Sequence, residues 1–251
     1  MNWLLLRGLA REQRHWHEFS QRLVERLPSG RVQPLDVAGT GTERGRHPRP
    51  SIEWLARDVA RRLPDAGGEG SSSWGVMGIS LGGMIALELC RLLPGRITRA
   101  VIINSSSRLS GPATRFRPLA AARLAQALVS RDDTRREEIV LELTSRLARD
   151  ERSRYARLAA EFARDAPMSR ASVALQLAAA ARFSPPSLAT PLLLVCSRRD
   201  ALVNPRCTRD LAAFYGCGFE EHPDAGHDLP LDDPDWLCEQ TLRFEGASKR
   251  D

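Results

Sequence analysis

Short apolar runs alternate with amphipathic stretches along the first part of the chain. Trp3–Leu6 is a continuous apolar run and predicts a buried strand. Trp16, Phe19, Leu23 and Leu27 then share one helical face, and Pro28 ends that helix. Val32–Val37 predicts a short strand, closed by Gly39 and Gly41. Ser51 predicts the cap of a helix whose core face is Ile52, Leu55, Val59 and Leu63, stopping at Pro64. Gly67–Ser73 is a Gly/Ser loop, Trp74–Ile79 a strand, Leu81–Leu93 a helix that is apolar nearly all round, and Ala100–Ile103 a further strand. This β-α-β-α rhythm implies a parallel sheet with helices on both faces.

The rhythm stops near Ser106. Up to Leu188 only helical patterns follow, over Phe116–Val129, Arg135–Arg149, Arg152–Arg164 and Ser172–Phe183. Pro185-Pro186 closes that segment, and Pro191–Ser197 restores the strand pattern as the most apolar strand of the chain. Asn204-Pro205 opens a helix that ends at Gly216, Phe219–His222 is a last strand, and Asp233-Pro234 opens the final helix. The expected fold class is therefore α/β. A mostly parallel central sheet is formed by residues 1–105 and 189–251, and residues 106–188 form an inserted all-helical unit.

A chain of 251 residues suits one such domain with an insertion, and 42% hydrophobic residues exclude global disorder. No apolar run is long enough for a membrane span, and the apolar stretch at Trp3–Leu6 is too short for a signal peptide. The five cysteines, Cys90, Cys196, Cys207, Cys217 and Cys238, are odd in number and show no metal-ligand spacing. They read as reduced thiols in a cytoplasmic protein, with no metal and no cofactor expected. The net charge of +6 resides in residues 106–188, which hold 15 arginines against 9 acids. Those arginines alternate with acids and lack interleaved aromatics, so they read as a solvated face, not a nucleic-acid surface.

Gly78-Ile79-Ser80-Leu81-Gly82-Gly83 follows a predicted strand and opens a predicted helix. This is a nucleophile-elbow pattern. A chain that reverses from strand to helix around one serine needs glycines where a Cβ would collide, and the helix N-terminus offers N–H groups to an oxyanion. A serine nucleophile needs a base, and the base an orienting acid. Among His15, His17, His47, His222 and His227, only the last two follow the elbow late enough in the chain. His227 lies in a loop past the last strand, whereas His222 lies within that strand and reads as structural. Asp200, just past the strongest strand, is the candidate acid. Asp224 and Asp228 are too near His227 in sequence to orient it easily, and Asp232 and Asp233 read as helix caps.

With Ser80, Asp200 and His227 in this order, the chain resembles the α/β-hydrolase superfamily. Arg7-Gly8-Leu9 through Trp16 resembles the family's oxyanion loop, and Asp36-Val37-Ala38-Gly39-Thr40-Gly41 its Asp-x-x-Gly-x-Gly turn. One departure stands out: Arg7-Gly8 replaces the family's usual His-Gly. The family's usual first hairpin also has no counterpart in the pattern. The resemblance implies that residues 106–188 are a cap, that Ser80 attacks a carbonyl while His227 takes its proton, and that Asp200 holds the imidazole. It implies an oxyanion hole from the backbone N–H groups of Leu9 and Leu81, with no cofactor required.

Arg7, Arg11, Arg14 and His15 lie near the expected oxyanion loop and are candidate ligands for a substrate carboxylate, although a plain surface role suits an arginine-rich chain as well. Leu119, Leu124, Leu128, Leu143, Leu147, Phe162, Leu175 and Phe183 fit helical core packing in the insertion. Three readings follow. The leading one is a serine hydrolase cleaving a carboxylic ester, or a related acyl bond, of a small or medium-sized substrate. The others are a cofactor-free lyase or carbon–carbon hydrolase acting on an anionic metabolite, and a binding protein that keeps the hydrolase fold. Oligomeric state has no sequence signature here.

Overall fold

The computed structural model of the chain describes residues 1–63 and 73–247. The predicted Gly/Ser loop therefore lies, except for Ser73, outside the described residues. Six strands form one sheet: β1 (Asn2–Leu6), β2 (Val32–Leu35), β3 (Trp74–Ile79), β4 (Ile97–Ile103), β5 (Leu192–Ser197) and β6 (Gly218–His222). Their order is β2-β1-β3-β4-β5-β6, and every pairing is parallel. β3 and β5 are buried throughout, while the edge strand β2 is half-buried and the edge strand β6 alternates exposed with covered positions. That burial explains why the central strands read as unbroken apolar runs.

Alternate residues of each strand serve opposite faces. Leu4, Leu6, Val76, Ala100, Ile102 and Leu194 pack with helices α2 (Ile52–Arg62) and α3 (Leu81–Leu92) on one face. Trp3, Leu5, Met77, Ile79, Val101 and Val195 pack on the other, against α1 (Glu18–Arg26). Ser51 caps α2 as expected, accepting from the Trp54 N–H. α1 begins two residues later than its apolar face suggests. A 3-10 turn covers Gln13–Trp16, and His17, at φ 46°, separates the two helices.

Between β4 and β5 the described residues hold helices and no strand: α4 (Pro112–Arg115), α5 (Pro118–Val129), α6 (Asp133–Thr144), α7 (Arg149–Asp165) and α8 (Arg170–Arg182). Several boundaries differ from the periodicity, and α6, α7 and α8 each begin two or three residues early. Arg117 turns extended before Pro118, so the first predicted helix begins two residues late, at Pro118, with the separate short α4 before it. Ser145 is extended as well, so α6 stops there and Leu147 falls in a loop. Leu119 (77% exposed) and Leu128 (47%) face outward, because α5 turns Ala120 and Ala127 inward instead. After β5 come α9 (Arg206–Tyr215), a short α10 (Leu229–Asp232) and α11 (Pro234–Ala247). All five cysteines are free thiols. No helix among the described residues is long and apolar enough to cross a membrane.

Candidate active site

The strands are parallel, so their C-terminal ends share one edge of the sheet. The chain leaves β1 toward β2 on one side and resumes with β3 on the other. Open parallel sheets form their sites beside such a reversal. Ser80 stands there, between β3 and α3, with φ 55° and ψ −117°. Positive φ is a strained conformation for a residue with a Cβ. Neighbours hold it: Ser80 N–H donates to Ile103 O (2.9 Å), and Ser80 O accepts from Ser105 Oγ (2.8 Å) and Gly83 N–H (3.0 Å). The flanking glycines have steric reasons. A Cβ on Gly78 would lie 2.2 Å from Gly82 O, and one on Gly82 would lie 2.2 Å from Leu6 O.

His227 Nδ1 lies 2.6 Å from Asp200 Oδ2, and both residues are buried. The second carboxylate oxygen of Asp200 accepts from the N–H groups of Leu202 (2.8 Å) and Val203 (2.9 Å). With Nδ1–H donated to Asp200, the free ring nitrogen Nε2 is the basic one. Among the described residues no hydrogen bond joins Ser80 Oγ to this ring, and such contacts often tighten only when substrate binds.

Asn104 was not singled out from sequence. It follows β4 at φ 47°, and its amide donates to His227 O (2.8 Å) and Ser197 Oγ (3.0 Å) while its carbonyl accepts from Ser197 N–H (2.8 Å). It ties the ends of β4 and β5 to the His227 loop. The only sequence signal is an abrupt polar residue after the apolar run Val101–Ile103. His222 is structural as expected: Nδ1 accepts from the N–H groups of Asp224 and Ala225, leaving Nε2–H for Asp233 Oδ2 (3.1 Å). Asp233 also caps α11 through Trp236 N–H. Asp232 departs from its expected capping role. It accepts from Ser145 Oγ, Arg146 N–H and Gly226 N–H, fastening the end of α6 to the His227 loop.

The backbone N–H groups of Leu9 and Leu81 have no hydrogen-bond acceptor among the described residues. Gly8, beside Leu9, packs so closely on the elbow that a Cβ there would sit 3.2 Å from Ser80 Cβ. The loop carrying Leu9 is anchored by Asp36, which accepts from Gln13 N–H (2.7 Å) and from Thr42 N–H and Oγ1 (2.8 and 3.0 Å). Gly41 follows at φ 48°, where a Cβ would collide with that carboxylate. The Asp36–Gly41 turn thus braces the loop after β1.

The three arginines among the candidate carboxylate ligands are occupied by acids of this chain, and the fourth candidate, His15, is a buried imidazole whose Nδ1 accepts from Glu12 N–H. Arg7 pairs with Asp228, Arg11 with Glu137 and Arg14 with Glu12 and Asp165. Burial, assisted by Arg11 and Arg7, holds the His15 pKa well below its ordinary value. Burial also lowers His17, to about 4. Arg11, His15, Glu137, Phe162 and Met168 line a cavity of about 50 Å³ between the loop after β1 and α7, and Ser80 is not among its walls.

The sequence model described as the alpha/beta hydrolase family matches residues 3–240, nearly the whole chain. The chain belongs to the alpha/beta hydrolase family. Solved family-like structures agree in fold. A hydrolase from Pseudomonas aeruginosa PA01 has a TM-score of 0.75 at 21% identity, over 98% of this chain and 89% of that one. The enol-lactonase from Burkholderia xenovorans LB400 gives 0.73 at 21% identity, over 98% and 91%. At these identities the likeness shows the hydrolase fold alone. A protein of Azorhizobium caulinodans, named as a proposed carbamate hydrolase, RutD, is 42% identical over 77 residues. That match spans 30% of this chain and 28% of that protein's length.

Proposed function

We propose that the protein is a serine hydrolase that cleaves a carboxylic ester, or a related acyl bond such as a carbamate, of a small or medium-sized substrate. The observation that carries this reading is the Asp200–His227 contact of 2.6 Å, made at the same C-terminal edge of the parallel sheet as a serine held at φ 55°. Ser80 Oγ attacks the carbonyl carbon while its proton passes to His227 Nε2. Asp200 accepts the Nδ1–H bond throughout and stabilises the imidazolium. The tetrahedral oxyanion accepts from the N–H groups of Leu9 and Leu81, where loss of one donor costs about 3 kcal/mol of transition-state stabilisation. The imidazolium returns its proton to the departing alcohol, leaving an acyl group on Ser80. Water, deprotonated by His227, then releases the acid.

The helical insertion, residues 106–188, acts as the cap, and its α7 supplies one wall of the cavity beside the loop after β1. A lyase or carbon–carbon hydrolase on an anionic metabolite would need unspent positive charge, and Arg7, Arg11 and Arg14 already carry carboxylates. Turnover of a graded series of p-nitrophenyl esters tests the proposal. Wild type turns over a short ester, and Ser80→Ala loses about a thousandfold or more in kcat. Equal rates for the two proteins reject a Ser80 mechanism.

A further inference from the structure

Arg7 stands where the family usually has histidine, one residue past β1, and is only 3% exposed. Its guanidinium makes a two-pronged pair with Asp228, at 3.0 Å from Nη1 to Oδ1 and 2.6 Å from Nη2 to Oδ2. The same guanidinium lies 5.1 Å from the Trp16 ring centroid, and its Nε has no partner among the described residues. Burial, the largest single influence, raises the Asp228 pKa, but Arg7, joined by His17 and Arg11, more than offsets it and holds the carboxyl below its ordinary value. The pair is therefore ionised at neutral pH. Buried ion pairs seldom add net stability, because desolvation offsets the attraction. Stability is thus a poor reason for this pair, and the placement of its two ends supplies a better one.

Arg7 adjoins Gly8, which packs on Ser80, and precedes Leu9 by two residues. Asp228 adjoins His227. The other bonds of the histidine loop run elsewhere, among them His227 to Asp200 past β5, His227 O to Asn104 past β4, Gly226 N–H to Asp232, and Asp228 N–H to Thr144 O (2.7 Å) of α6. Among the described residues the Arg7–Asp228 pair is the one hydrogen-bonded link between the loop that carries Leu9 and the loop that carries His227. We infer that Arg7 and Asp228 are positioning residues whose ion pair registers the oxyanion donor of one loop against the histidine base of the other. This rests on the serine-hydrolase reading above. Neither side chain touches the reacting atoms, and Arg7 is a brace within the chain, not a receptor for a substrate carboxylate.

The test compares full-length wild type with Arg7→Met/Asp228→Leu, which removes both charges and keeps the volume filled. Each protein is measured for Tm, for the rate of fluorophosphonate labelling at Ser80, and for ester kinetics. The expected result is a Tm within a few degrees of wild type, with labelling and kcat slower by about tenfold or more and KM within about threefold. Arg7→Lys, which keeps the charge but loses the fork, serves if the double variant does not fold. It is expected to label at a rate between the two, with Tm retained. A folded double variant, or Arg7→Lys in its place, that labels at the wild-type rate overturns the positioning role and leaves the serine mechanism standing. If wild-type Ser80 neither labels nor turns over ester, the serine-hydrolase reading fails, and the positioning role is rejected with it.

Discussion

At the scale of single residues, the loop after β1 concentrates charge and imidazole in a small buried volume. His17 has its pKa lowered to about 4, first by burial and then by Arg7 and Arg11, with Asp228 and Glu18 opposing. A folded pKa below the unfolded value of about 6.5 means that the unfolded chain binds the proton first as pH falls. His17 therefore contributes its full stability above about pH 6.5 and loses it progressively down to about pH 4. The loss amounts to about 2 kcal/mol by pH 5. Urea unfolding at pH 8 and pH 5 should show a larger drop for wild type than for His17→Gln, and parallel behaviour of the two proteins would contradict the burial account. The proposed site residues differ in how legible they are. Ser80 and His227 announced themselves through glycine spacing and chain order, which are local. Arg7 and Asp228 stand 221 positions apart, so nothing local marks their partnership, and the sequence offers Arg7 as a departure from the family's His-Gly and as a substrate ligand or surface residue, not as a brace.

At the scale of elements, the elbow depends on backbone approaches that only glycine allows. Gly78→Ala would drive a Cβ into Gly82 O, a backbone atom that cannot swing aside, whereas a Cβ at Gly45 meets nothing within 4 Å. Thermal unfolding should show a cost above about 2 kcal/mol for Gly78→Ala and within about 0.5 kcal/mol for Gly45→Ala. Comparable losses at both positions would remove the steric argument for the elbow. Strands and the helices of the sheet were read well, because unbroken apolar runs and one-sided helical faces arise directly from two-sided burial. The segment between β4 and β5 is less legible. Its helices were placed, but their ends at Arg117 and Ser145 and the outward turn of Leu119 and Leu128 depend on contacts between helices that periodicity cannot encode. Asp232 illustrates the same limit: a carboxylate before Asp233-Pro234 looks like a cap, yet it bridges α6 and the histidine loop.

At the scale of the molecule, six parallel strands bring three distant segments to one edge of the sheet. The β-α-β-α rhythm predicted a parallel sheet, but the order β2-β1-β3-β4-β5-β6 emerges only from pairing between segments far apart in sequence. That order sets the loops after β1, β3, β4 and β5 side by side. Asn104 joins two of them, and the Arg7–Asp228 pair joins the loop after β1 to the histidine loop. The central claim is that this edge activates one serine. Intact-mass analysis and peptide mapping after treatment with a fluorophosphonate test it most directly. The account predicts a single adduct on the peptide containing Ser80, formed far more slowly in His227→Gln. An unmodified wild-type chain, or an adduct on another residue, would contradict it.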